Sequence, residues 1–160
     1  MPIKILCLIL LLLLSNVAFA KYDSYDCSVS ATPVAFGKYN PFGSDVDVTG
    51  TVSVSCEKYR SGSSKTLVKY TIKLSKGNSG SYSERKLESG SNALLYNLYT
   101  SGSYNEIWGN GKSGTEVVSD KYYLDGKVET KDYTVYGRIP GYQNVPVGSY
   151  TDTIKVRVKF

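Results

Sequence analysis

Ile154-Lys155-Val156-Arg157-Val158-Lys159-Phe160 alternates apolar and basic residues without a break. Successive side chains of a β-strand point to opposite faces, so Ile154, Val156, Val158 and Phe160 look one way and Lys155, Arg157 and Lys159 the other. Such a strand covers a core with one face and meets water with the other. The same period recurs upstream. The even positions from Val46 to Cys56 read Val46, Val48, Gly50, Val52, Val54 and Cys56, with mostly polar residues between them. Val68, Tyr70, Ile72 and Leu74 repeat the pattern, as do Tyr133, Val135, Gly137 and Ile139. No stretch sustains the i, i+3, i+4 spacing of an amphipathic helix.

Turn chemistry separates these runs. Gly77-Asn78-Ser79-Gly80, Gly109-Asn110-Gly111, Asp125-Gly126 and Pro140-Gly141 are punctuators. Asp125-Gly126 predicts a tight hairpin, because a type I′ turn needs positive φ at both central residues. Ser61–Ser64, Gly77–Ser83 and Ser89–Ser91 read as loops inside one domain. Many short strands with frequent turns predict an all-β sandwich or barrel.

The first twenty residues predict export. Lys4 precedes an aliphatic run from Ile5 to Leu14, and Ala18-Phe19-Ala20 offers small residues at a cleavage site before Lys21. The run is shorter than the roughly 20 apolar residues of a bilayer-spanning helix, so no retained membrane anchor is expected. Cys7 leaves with this leader. Residues 21–160 then form one domain, with Cys27 and Cys56 expected to pair in an oxidising compartment. That bond is worth about 3–4 kcal/mol by loop closure. The formal charge is +5 before Lys4 is removed. Basic residues are spread along the sequence, which predicts a solvated surface and no nucleic-acid partner.

The chain has no histidine. This removes the commonest general base, the serine-protease relay and most zinc sites. Paired cysteines leave no thiol nucleophile. Asp45 and Asp47, two apart on a strand, share a face. Glu84 and Glu88 flank Arg85 and Lys86 in an expected loop. Neither pair carries a motif, although glycoside hydrolysis needs only two well-spaced carboxylates. No catalytic residue, metal site or cofactor is expected. Trp108, the single tryptophan, either covers one end of the core or stacks on a sugar. Arg138 either binds anions or, as a structural group, bonds loop carbonyls or stacks on a tyrosine.

Taken in order, several segments resemble the spore coat protein U family, which includes subunits of archaic chaperone–usher pili. They are the early Cys27, Thr32-Pro33-Val34-Ala35-Phe36-Gly37-Lys38-Tyr39, Val52-Ser53-Val54-Ser55-Cys56, Arg85-Lys86-Leu87 and Leu95-Tyr96-Asn97-Leu98-Tyr99. Ile107-Trp108-Gly109-Asn110-Gly111, Thr134-Val135-Tyr136-Gly137-Arg138-Ile139-Pro140 and Gly148-Ser149-Tyr150-Thr151-Asp152-Thr153-Ile154 complete the series.

The resemblance implies an incomplete immunoglobulin-like sandwich that lacks its last strand, with a groove filled first by a periplasmic chaperone and then by a neighbouring subunit. An outer-membrane usher and a place on the cell surface follow from the same resemblance. Ile154, Val156, Val158 and Phe160 are the expected wall of that groove. The opposite wall is expected at Val29 and Ala31, continuing to Val34 and Phe36. Strand addition gains affinity from main-chain hydrogen bonds and specificity from alternate side chains. Two features depart from the family pattern. Asn110 stands where an acidic residue is expected, and only Lys21-Tyr22-Asp23-Ser24-Tyr25-Asp26 precede Cys27. So short and polar a segment predicts a subunit that accepts a strand without donating one, at a fibre end or in a coat. An exported sugar-binding adhesin, with Trp108 and tyrosines touching a glycan receptor, is the competing reading, followed by a carboxylate hydrolase.

Overall fold

The computed structural model describes residues 25–59 and 65–160. The expected leader 1–20, the segment 21–24 and the Ser61–Ser64 loop lie outside the described residues. Eight strands form: β1 (Tyr25–Ala31), β2 (Val46–Lys58), β3 (Thr66–Leu74), β4 (Arg85–Ser89), β5 (Asn92–Tyr99), β6 (Val118–Leu124), β7 (Val128–Ile139) and β8 (Val156–Lys159). They make a five-stranded sheet in the order β1-β2-β7-β5-β4 and a three-stranded sheet in the order β6-β3-β8. All strand pairs are antiparallel.

Alternation decides the faces as read from the sequence. Val52, Val54 and Cys56 of β2 and Val68, Tyr70, Ile72 and Leu74 of β3 are buried between the sheets. Leu94, Tyr96 and Leu98 of β5 and Val135 and Ile139 of β7 complete the core with Trp108 and Leu124. Cys27 and Cys56 are direct partners in the β1–β2 register and form the disulfide.

Two local expectations are overturned. Asp125-Gly126 is no hairpin: β6 and β7 lie in different sheets, and the turn carries the chain across the sandwich. The tight hairpin is Gly90-Ser91 instead, flanked by the pair Ser89 and Asn92, with Gly90 at φ +58°. The stretch Arg85–Ser89, expected as loop, is the strand that closes this hairpin.

One side of the sandwich is laced shut. Trp108 N–H donates to Leu98 C=O in the larger sheet at 2.8 Å, and Gly109 C=O accepts from Leu74 N–H of β3 at 3.0 Å. The other side, between β1 and β8, has no such bridge among the described residues. The result is an incomplete immunoglobulin-like sandwich, open along one seam.

Candidate functional site

β1 and β8 are edge strands of different sheets. Thr32 N–H donates to Thr51 C=O at 2.9 Å, which sets the phase of the β1 ladder. Alternate residues of an antiparallel strand turn their main-chain groups toward the partner. Ser28 and Ser30 therefore face β2, while Cys27, Val29 and Ala31 turn N–H and C=O outward. Cys27 N–H is occupied by the carboxylate of Asp26 at 2.8 Å.

β8 repeats the arrangement. Ser75 N–H donates to Lys155 C=O at 3.0 Å, so Arg157 and Lys159 address β3. Val156 and Val158 turn their main-chain groups to the open side, and their side chains toward the core. Both lips of the seam thus combine inward apolar side chains with outward backbone donors and acceptors.

The seam is closed at one end and open at the other. Phe160 lies 6.4 Å from the Tyr25 ring and 5.7 Å from the Tyr70 ring, both edge-on. Away from this clasp, a cavity of about 310 Å³ separates Ala31 from Ile154 and Val156. Its floor is Val52, Leu74, Leu98 and Val135. It runs over Val34, Phe36 and Leu87 into a wider hollow of about 680 Å³ that reaches Tyr150.

Five of the eight residues expected to wall a groove line this trough: Ala31, Val34, Phe36, Ile154 and Val156. Val29, Val158 and Phe160 sit toward the clasp, outside the cavity lining. Val34 and Phe36 are not on a continuation of β1, which ends at Ala31. Pro33 follows Thr32 in the outward-facing phase, so its missing N–H removes a donor from the open lip and not from the β1–β2 ladder. The chain instead turns inward across the sheet, where Gly50 and Gly137 leave room for Val34. Phe36 packs edge-on against Tyr96 at 5.7 Å.

The residues shared with the family motifs build the frame. Trp108 is fully buried and its indole N–H donates to Ile72 C=O at 3.1 Å, so it offers no sugar platform. Gly109 packs on Thr115, whose hydroxyl accepts from Asn110 and Gly111 N–H at 3.1 and 3.2 Å. Gly111 has φ +78°. Pro140 C=O accepts from Tyr39 and Gln143. Arg138 stacks over Tyr104 at 3.7 Å, the predicted aromatic contact, with Tyr136 against the same ring. Its polar partners are carboxylates rather than carbonyls: a fork to Asp47 at 2.6 and 2.7 Å, and Asp45 at 3.4 Å. The Arg138 fork holds the Asp47 carboxyl below its usual range.

Three further residues, quoted within the family-like segments but given no role there, carry the frame. Arg85 is fully buried. It donates to Ser75 C=O at 3.1 and 2.7 Å, to Trp108 C=O at 2.7 Å and to Asn97 Oδ1 at 2.8 Å. Burial lowers its pKa. Asn97 passes the network to Tyr82 C=O at 2.8 Å. Asp152, on the trough wall, accepts from Tyr96 OH at 2.6 Å and Asn78 N–H at 2.8 Å. Burial first, and then this carboxylate, raises the Tyr96 pKa. Among the described residues no cluster of three metal-ligating side chains occurs.

A family model described as the Spore Coat Protein U domain matches residues 13–157. The chain belongs to the spore coat protein U domain family. The match begins inside the expected leader and ends within β8. None of the curated proteins matches this spore coat protein U chain. Among solved structures it is similar to a chain in the chaperone–tip adhesion subunit pre-assembly complex of the archaic chaperone–usher Csu pili of Acinetobacter baumannii. The TM-score is 0.57 at 24% identity, over 85% of this chain and 40% of that one. The chain therefore spans less than half of that neighbour, and the likeness is one of fold.

Proposed function

We propose that the chain is an exported structural subunit of a surface fibre of the chaperone–usher type, or of a related coat, and not an enzyme. Its seam takes a strand from another polypeptide: first a periplasmic chaperone, then a neighbouring subunit delivered at an outer-membrane usher. One observation carries this reading. Val29 belongs to the core face of β1, opposite buried Val54, yet is 42% exposed. A core position left open, beside backbone groups without a sheet partner, is what an added strand covers.

Within the same proposal the subunit accepts a strand at the end of a fibre without donating one: the segment Lys21–Asp26 is polar, and Tyr25 and Asp26 pair with Lys58 and Glu57 within β1–β2. The donor groove in this reading comprises Val29, Ala31, Val34, Phe36, Ile154, Val156, Val158 and Phe160. The adhesin reading loses its tryptophan to the core.

The test is expression in a bacterial periplasm with and without a co-expressed chaperone of the archaic chaperone–usher type. Alone, the chain is degraded or aggregates; with the chaperone it accumulates as a one-to-one complex, and Val156→Arg prevents that complex. A soluble monomer that ignores the chaperone contradicts the proposal.

A further inference from the structure

The outward face of the three-stranded sheet carries five cations and no carboxylate. Lys69 of β3 stands directly opposite Lys121 of β6, and Lys73 opposite Arg157 of β8. Lys159 faces Thr71. The remaining outward positions of the three strands are Leu67, Ser119 and Tyr123. No carboxylate occupies any of them: Asp120 points inward and accepts from Tyr133 OH at 2.6 Å. None of the five cations takes part in an ion pair among the described residues. These basic residues are scattered through the sequence, and the fold gathers them.

Like charges placed directly opposite one another destabilise a sheet. Partners across an antiparallel ladder lie about 4.5–5.5 Å apart, well within the screening length of about 10 Å at 0.1 M salt. Their potentials add, so the face attracts a ligand that presents several anions in a row. One end of the grid is apolar: Tyr123 is 58% exposed and stands opposite Leu67, 41% exposed. An exposed aromatic ring beside cations fits the apolar face of a sugar flanked by acidic groups.

We propose that this face binds an acidic polysaccharide, the cations reading carboxylates or phosphates and Tyr123 stacking on a sugar ring. The face reaches the seam at β8, but its side chains point away from the groove, so an added strand would leave the five cations exposed, and the site does not depend on the fibre reading.

Binding of the full chain to immobilised alginate, neutral dextran and duplex DNA tests it. Alginate is held and dextran is not, with affinity falling as salt rises. Lys69→Gln, Lys73→Gln and Lys121→Gln together weaken alginate binding by about tenfold or more, as expected for lost charge contacts. The three Lys→Arg changes preserve it, and Lys38→Gln with Lys112→Gln on other surfaces has no effect. Tyr123→Ser weakens alginate binding several-fold and leaves DNA binding unchanged. The proposal fails if alginate is not bound, if the glutamine variant binds equally well, or if Tyr123→Ser is without effect and DNA binds as tightly as alginate. Should the glutamine variant not fold, a salt-independent affinity of the unaltered chain overturns the proposal by itself.

Discussion

Val34 fills the space above Gly137. A methyl group on Gly137 would lie 2.5 Å from Val34 Cγ1 and 2.9 Å from the tip of the Phe36 ring. The glycine is thus what lets the chain leave β1 and cross the core face of the larger sheet, making one wall of the trough. Gly137 has no unusual backbone angle among the positive-φ residues, so its role is close approach.

Gly137→Ala is therefore expected to cost about 1–3 kcal/mol through overpacking. Urea unfolding measures the loss. Adding Val34→Ala, which removes the struck methyl groups, recovers part of it. A stability unchanged by Gly137→Ala would show that the crossing segment does not pack as described.

Arg85 is a test of the buried frame. Arg85→Ala strips donors from Ser75, Trp108 and Asn97 and leaves a cavity, for an expected loss of about 3–5 kcal/mol. Arg85→Lys keeps the charge but loses the fork geometry, so it falls between alanine and the native residue. Equal stability of the lysine variant and the native chain would contradict the network.

Alkaline pH attacks the same core through its tyrosines. Tyr70 OH is 2.6 Å from Tyr133 OH, which donates to Asp120. Burial, chiefly, raises the pKa of Tyr70 and Tyr133 and pushes Tyr122 up to about 12. A tyrosine whose pKa is raised on folding contributes stability that is complete below the unfolded value of 10.0 and is lost as pH rises above it. Tyrosinate absorbance and loss of fold should then rise together above that pH. Tyr133→Phe, which removes one of these groups, shallows the decline. Full ionisation of the tyrosines in a chain that stays folded would refute this account.

The period of two made β2, β3, β7 and β8 readable, because a half-buried strand writes its orientation into alternate residues. Val52, Val54 and Cys56, and Val156 with Val158, needed nothing more. Asp125-Gly126 misled because a turn's local chemistry does not say whether the next strand joins the same sheet. Arg85 was hidden for a related reason. Between Glu84 and Lys86 it reads as solvated charge, and the carbonyls that bury it come from Ser75 and Trp108, distant in sequence. From the sequence alone, Val34 and Phe36 read as a continuation of the first-strand wall; β1 stops at Ala31, and only the contact with Gly137 places those two residues in the trough. The basic face was legible only at β8, whose alternation sets Arg157 and Lys159 on one side; Lys69, Lys73 and Lys121 join it from separated strands.

Amide hydrogen exchange at Val156 and Val158 tests the central claim most directly. In the chain alone these N–H groups point to the open side of β8 and should exchange rapidly, while Arg157, bonded to β3, is protected. Appending an alternating apolar–polar strand after Phe160 through a flexible linker should slow Val156 and Val158 by orders of magnitude and raise the melting temperature. Protection of both amides in the unaltered monomer, with no change on strand addition, would mean that the sheet was already closed.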